Sequence, residues 1–303
     1  MIKNIVLLLS IACLGSCSTS KSTSPYEFAL MSADVYDTGI VKELPRHIKP
    51  YMDFDKNSFD SPLNIDLSFV LDLADKKDWK QLAPYLAFKA FGKGGYFGRA
   101  YINTKNNQII IAHRGTDIDL NLLKGKSIEF SKDINFMDLI RDVDDNYDVF
   151  QGKIPHQQLA AARYFTALVK LDYEEKHGEK NPVIIHTGHS LGAILAELSA
   201  VENNGKAVTF ESPGSSPMVE KVLETNNIDK NSFKIITYNN VPNSINRTHP
   251  PAGKVYYLKD FNKSALSEDP FSDEAIQATI ENHGIEEILL QFDPKTGKPK
   301  KWK

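Results

Sequence analysis

The sequence predicts an α/β domain built on a mostly parallel central sheet covered by helices on both faces. Two observations carry that expectation. From residue 182 onward, short apolar and β-branched runs alternate with segments of helical periodicity, the pattern of strands buried on both faces and joined by crossover helices. One run, Pro182-Val183-Ile184-Ile185-His186-Thr187, leads straight into Gly188-His189-Ser190-Leu191-Gly192, and residues 193–200 that follow are rich in good helix formers. Strand, G-x-S-x-G and helix in that order make a nucleophile-elbow pattern. The serine sits on a sharp turn, and a Cβ at either flanking glycine would crowd the strand or the helix. With 303 residues, 41% of them hydrophobic, the chain has enough apolar material for one large domain or two small ones.

The chain opens with a targeting pattern. Lys3 precedes Ile5-Val6-Leu7-Leu8-Leu9, and the apolar stretch continues through Ile11 and Ala12. A short apolar core behind a positive start reads as a secretory signal over residues 1–16, too short for a membrane span. It ends in Leu14-Gly15-Ser16-Cys17, which resembles the lipobox of bacterial lipoproteins. That resemblance implies cleavage before Cys17, lipid on its sulfur and anchoring to a membrane of the cell envelope. Cys13 and Cys17 are the only cysteines, so an exported body would hold no disulfide. Residues 17–25, rich in Ser and Thr, read as a flexible tether that would let the protein reach the bilayer. The globular domain is expected over 26–295 and a basic tail over 296–303.

Residues 26–36 carry Phe28, Ala29, Ala33 and Tyr36 at helical spacing. Residues 38–78 are polar and interrupted by Pro45, Pro50 and Pro62, so an irregular excursion is expected, with a short helix at 65–74. Residues 79–91 read as partly helical around Pro84, and 92–95 as a turn. A hairpin follows, with strands at 96–102 and 108–112 about Asn106-Asn107. The second strand runs into His113-Arg114-Gly115-Thr116-Asp117. Residues 118–130 mix apolar and charged side chains, as either an amphipathic flap or a surface element with one packed face does. Five aspartates between Asp138 and Asp148 lack the glycine and spacing of a calcium loop and read as a solvated helix face. The clearest helix is 155–177, with proline at its start and His177-Gly178 at its close. Strands are expected at 206–210, 233–238 and 254–259, with helices at 216–224 and 272–292. His283-Gly284 lies inside the last helix or breaks it. Net charge is −3, and the only basic block is the short tail, which argues against nucleic acid as a partner. No metal-type cluster of Cys and His occurs.

An apolar strand, Arg114-Gly115-Thr116, and a downstream Gly188-His189-Ser190-Leu191-Gly192 together resemble the class 3 (fungal-type) lipases, members of the α/β-hydrolase fold. The resemblance spans roughly residues 95–292 and would make this chain a divergent bacterial lipoprotein member. It implies that Thr116 and the backbone N–H of Leu191 form an oxyanion hole, and that a lid follows the oxyanion strand. It also implies that His156 is structural. Asp142 matches a family aspartate only loosely. One departure matters: the family places an aspartate after the strand at 233–238, where this chain has only Asn239, Asn240, Asn243 and Asn246.

A serine hydroxyl needs a base to take its proton. In the α/β-hydrolase order the base comes last, and His283 lies beyond the final strand, whereas His249 precedes it. His189, beside Ser190, is expected to face away from the elbow. For the group that orients the base, Glu211 stands at the exit of the strand after the elbow, and Asn243 is the alternative. The expected chemistry is cleavage of carboxylic esters of lipids, acylglycerols or phospholipids, through an acyl-enzyme at Ser190, with no metal or organic cofactor. The partners would be a lipid ester and a membrane surface. Two alternatives stay open: a hydrolase-fold surface lipoprotein that binds lipid or a partner, and an acyltransferase with the same residues.

Overall fold

Seven strands form one sheet in the computed structural model, which describes residues 22–37, 39–55, 96–115, 148–178, 182–262, 266–270 and 272–300, with Asp55 and Gln157 given by their backbone alone. The signal segment 1–16, Cys17, the helices expected within 65–91, Thr116, the 118–130 flap and Asp142 lie outside the described residues. The strands are β1 (Ile48–Asp55), β2 (Phe97–Asn103), β3 (Gln108–His113), β4 (Ile184–His189), β5 (Lys206–Phe210), β6 (Lys234–Asn239) and β7 (Lys254–Tyr257), in that spatial order. β1, β2 and β3 run antiparallel to one another, and β3 through β7 are parallel. The helices are α1 (Pro25–Asp34), α2 (His156–His177), α3 (Leu191–Glu202), α4 (Ser216–Asn226), α5 (Asp273–Asn282) and α6 (Ile285–Leu289).

Side-chain alternation along the strands explains why both faces are covered. Ile109, Ile111, Ile184, Ala207 and Ile235 share one core with Phe165 of α2, Ile194 and Leu198 of α3 and Val222 of α4. The intervening residues Ile110, Ala112, Ile185, Val208 and Phe210 share the other with Phe28 and Met31 of α1, Ile288 of α6 and Phe292. A period of two on strands, read on both faces, leaves continuous apolar runs rather than a polar stripe. An antiparallel entry leading into a parallel sheet, with the serine turn at the end of the middle strand, is the α/β-hydrolase arrangement.

Three expectations are corrected. Residues 48–55 form strand β1, not an irregular excursion. Its proline is tolerated because β1 is an edge strand and its register slips between Pro50 and Met52. The tether does not extend to residue 25, because the packed chain begins at Thr23. Thr23 is 7% exposed; its Oγ1 donates to Gln108 Oε1 (2.8 Å) and accepts from Asn103 Nδ2 (2.9 Å). Ser24 then caps α1 in a reciprocal box with Glu27, with Pro25 opening the helix. Nor is 296–303 wholly a tail: Phe292 bridges Pro299, Lys300 N–H bonds Gln291 O (2.8 Å) and Tyr26 N–H bonds Gly297 O (3.3 Å). These backbone groups are paired, so the segment packs although its composition is polar and basic.

Buried histidines lie under the elbow. Tyr96 Oη and His113 Nδ1 are 2.9 Å apart, and His113 Nε2 and His186 Nδ1 are 3.0 Å apart. Burial pushes His113 well below the usual imidazole range, and it takes His186 and His189 down to about 3. The unfolded chain therefore binds protons below about pH 6.5 that the folded one refuses. Their stabilisation is complete above that pH and is lost progressively as pH falls toward 3. Each such histidine costs roughly 2 kcal/mol at pH 5. Buried Glu197, whose pKa burial raises, works the other way: it favours the folded state at acid pH. Three histidines outweigh it between pH 6.5 and 5, since a carboxyl titrates below most of that window. Lowering the pH from 7.5 to 5 is expected to drop Tm by roughly 10–20 °C. A flat Tm across that interval would mean that these rings are not held neutral.

Candidate active site

Local sterics at the end of β4 build the turn. Ser190 has φ 59° and ψ −128°, a left-handed conformation rarely occupied by residues with a Cβ, and one that concentrates at functional turns. A Cβ on Gly188 would lie 2.2 Å from Gly192 O, and one on Gly192 would lie 2.2 Å from His113 O and 2.8 Å from Gly115 N. Both positions must be glycine for strand, turn, helix and the exit of β3 to meet. Ser190 N–H is held by Phe210 O (3.1 Å). Although Ser190 occupies the N-cap of α3, its side chain caps nothing. Leu191 opens α3, so its N–H is among the helix's unpaired donors, at the positive end of the helix dipole.

The chain carries His283 to this turn from far away in sequence. His283 closes α5, and Gly284 starts α6 immediately after it. Its ring is 4% exposed, and Nε2 lies 3.0 Å from Ser190 Oγ. On the other side of the ring, Nδ1 is 3.4 Å from Glu211 Oε2. That is ion-pair distance without hydrogen-bond alignment, as is common before substrate tightens such a contact.

Glu211 leaves β5 at φ 49° and is fully buried. A bare carboxylate in that position would carry a heavy desolvation cost. Three donors offset it: Asn240 N–H at 2.5 Å on Oε1, and Asn243 Nδ2 at 2.7 Å and Asn246 Nδ2 at 2.9 Å on Oε2. Asn243 is itself fixed, since its Oδ1 accepts from the N–H groups of Ile245 and Asn246. Asn240 Nδ2 donates to Asn282 O (2.7 Å), tying the loop after β6 to the residue before His283. The asparagines after β6 thus surround a glutamate delivered by the neighbouring strand. The sequence reading considered Glu211 and Asn243 as rivals; the structure places them in one cluster, with Asn243 touching Glu211.

The other sequence candidates fall apart from this cluster or beside it. His249 Nε2–H donates to Val149 O (2.7 Å), so that nitrogen is engaged elsewhere. His156 is exposed at the start of α2. Thr116 lies outside the described residues, but Gly115 before it abuts the elbow: a Cβ there would lie 3.2 Å from Gly192 N. His189 does face away from Ser190, yet Nε2 reaches His283 O at 2.6 Å and Nδ1 is 3.0 Å from Tyr36 Oη. Sequence reasoning missed the roles of Tyr36, Asn240 and Asn246. The run of asparagines where the resembled family has an aspartate was the available signal. Among the described residues, no group of three or more His, Cys, Asp or Glu could hold a metal ion. What the cluster can do is move a proton from a hydroxyl to an imidazole and place the resulting positive charge beside a buried carboxylate.

Comparison with known proteins adds little beyond this geometry. No family model matches the chain. An uncharacterised protein of Rickettsia prowazekii (strain Madrid E), RP165, is 30% identical over 179 residues, covering 53% of this chain and 42% of that protein. The chain therefore spans less than half the length of this curated relative. Among solved structures, a lipase from Rhizopus microsporus var. chinensis gives a TM-score of 0.40 at 13% identity, covering 94% of this chain and 89% of that one. A Rhizomucor miehei lipase in complex with its propeptide gives 0.37 at 13%, covering 78% and 66%. Lip2 lipase from Yarrowia lipolytica gives 0.35 at 16%, covering 73% and 71%. The fold assignment stands on the topology and register of the sheet itself.

Proposed function

We propose that the protein is a serine hydrolase that cleaves carboxylic esters of lipids through an acyl-enzyme. The observation that carries this reading is the line from Ser190 Oγ to His283 Nε2 (3.0 Å) and from His283 Nδ1 to buried Glu211 (3.4 Å), set on a strained turn. In the forward step Ser190 Oγ attacks the ester carbonyl carbon while its proton passes to His283 Nε2. The imidazolium then returns that proton to the leaving alkoxide as the acyl C–O bond breaks. Water repeats the sequence on the acyl-enzyme and releases the acid. Leu191 N–H, with Thr116, would hold the oxyanion. Glu211 would hold the His283 tautomer and its charge. A fluorophosphonate probe tests the reading. Labelling of the full-length protein, together with turnover of emulsified esters, supports it. Neither labelling nor turnover would leave a hydrolase fold that binds rather than cleaves.

The second part of the proposal concerns attachment. A diacylglyceryl Cys17 supplies the two chains that firm anchoring needs. Thr23 is docked at Asn103 and Gln108, where the parallel strands begin, whereas Ser190 follows their far ends. Six residues of β4 separate those edges by about 20 Å. The chain from Cys17 to Thr23 spans at most about 20 Å even when fully extended. That length leaves nothing for passing round the domain, so Ser190 faces away from the anchoring bilayer. This orientation departs from the expectation that the tether would bring the site to its own membrane. Vesicles bearing the protein through Cys17 are thus expected to hydrolyse an ester probe in neighbouring vesicles faster than in their own. Cys17→Ser should stay in the soluble fraction. Equal rates on the two vesicle populations would reject the orientation, and a membrane-bound Cys17→Ser protein would reject the anchor.

A further inference from the structure

We infer that His189 and Tyr36 are positioning residues that hold the carbonyl of His283, and hence the base, in register with Ser190. The inference rests on the reading of Ser190 and His283 given above. It starts from hydrogen-bond direction. The main-chain oxygen of His283 can only accept, so the 2.6 Å contact requires a proton on His189 Nε2. A neutral imidazole with its proton there has a bare Nδ1, which accepts from Tyr36 Oη–H at 3.0 Å. Tyr36 Oη in turn accepts from Gly115 N–H at 3.2 Å. The three bonds form one directed chain from Gly115 through Tyr36 and His189 to His283.

The fold explains why these groups meet. Alternation along β4 sends His186 to the face of α2 and α3, and sends Ile185, Thr187 and His189 to the face of α1. There Ser32 of α1 bonds Thr187 across the interface (2.8 Å), and Tyr36 follows the end of that helix. The exit of β3, the elbow, the end of α1 and the break between α5 and α6 converge on one ring. Both ring nitrogens of His189 are used, and the ring is 6% exposed. Burial first, and His283 second, push its pKa down to about 3, so His189 stays neutral across the working range. Neutrality has a catalytic consequence. The His283 ring becomes an imidazolium during acyl transfer, with its centroid 4.8 Å from that of His189. A second cation at that distance would oppose its formation. His189 therefore supplies a rigid donor to the backbone of the base without adding charge beside it.

A merely structural histidine would show itself in stability alone, whereas a positioning residue shows itself in turnover by folded protein. His189→Phe keeps a ring but removes both nitrogens, leaving His283 O without its donor. It is expected to lower kcat about 10- to 100-fold with KM little changed, a loss of the size that follows misplacement of a reacting group. His189→Gln retains a donor and an acceptor and is expected to recover most of that loss. Tyr36→Phe removes one oxygen and is expected to cost about 3- to 10-fold in kcat, with less than additive loss when combined with His189→Phe. Turnover of a short ester and the rate of fluorophosphonate labelling, each per folded molecule, give the readouts. Full kcat in folded His189→Phe overturns the inference, as does a Gln variant no better than Phe. If His189→Phe does not fold, Tyr36→Phe decides, and unchanged kcat there overturns it. A wild-type protein with neither turnover nor labelling sinks the hydrolase reading instead, which separates the two failures.

Discussion

Ser190→Ala is expected to abolish ester turnover and fluorophosphonate labelling while leaving the fold intact. The expected loss in kcat is at least about 10³-fold and as much as about 10⁶-fold, the range seen when a serine nucleophile is deleted. The reason is specific to Ser190. Its Oγ caps no helix, so its removal leaves no backbone donor unsatisfied and opens little space. Alanine keeps the Cβ that already tolerates φ 59°. Stability is therefore expected to change by less than about 0.5 kcal/mol, as for substitutions remote from buried networks. A variant that still cleaves a short p-nitrophenyl ester at the wild-type rate would remove Ser190 from the mechanism. One that unfolds would show that the turn depends on the hydroxyl in a way the geometry does not contain.

The second large effect is expected at Glu211. A carboxylate opposite Nδ1 of the base holds one tautomer and stabilises the imidazolium, and an uncharged amide at such a position in a serine protease lowers turnover by about 10⁴. Glu211→Gln is expected to lower kcat by about 10²- to 10⁴-fold with little change in KM. It is also expected to cost about 1–3 kcal/mol of stability, because its NH₂ must oppose one of the donors that now meet there. Those are Asn240 N–H, Asn243 Nδ2, Asn246 Nδ2 and the proton on His283 Nδ1. Asn243→Ala removes one of these donors and two acceptor bonds within its own loop. It is expected to destabilise while leaving most of the turnover in the molecules that stay folded. If Asn243→Ala instead costs more kcat than Glu211→Gln, the orienting role belongs to Asn243, and the carboxylate is only the anchor of its loop.

The asparagines after β6 connect these predictions to the departure seen in the sequence. In the resembled family the carboxylate would leave that strand. Here the carboxylate leaves β5, and Asn240, Asn243 and Asn246 turn toward it. An aspartate at any of those three positions would bring a second negative charge against buried Glu211. The missing aspartate is thus no sign by itself that the cluster has lost its acid.

The sequence by itself determined the parallel strands, the long helix α2 and the serine turn. Apolar runs, helical spacing and the steric demand for Gly188 and Gly192 are local properties, readable within a dozen residues. The order of the segments also singled out His283, because a base beyond the last strand can return only to the carboxyl edge of the sheet. Tertiary structure decided the rest. Pro50 hid β1, since a proline in an antiparallel run is acceptable only where the strand is an edge, and edge status belongs to the sheet. Thr23 looked like tether until Asn103 and Gln108 supplied its partners. His189 looked idle because its Ser190 neighbour points elsewhere; its use depends on a carbonyl that α5 and α6 bring to the other face of β4. Whether Glu211 or Asn243 meets the base could not be read along the chain. Both stand at carboxyl ends of neighbouring strands, and only the three-dimensional pairing of donors with acceptors puts the charge next to His283 and the amides behind it.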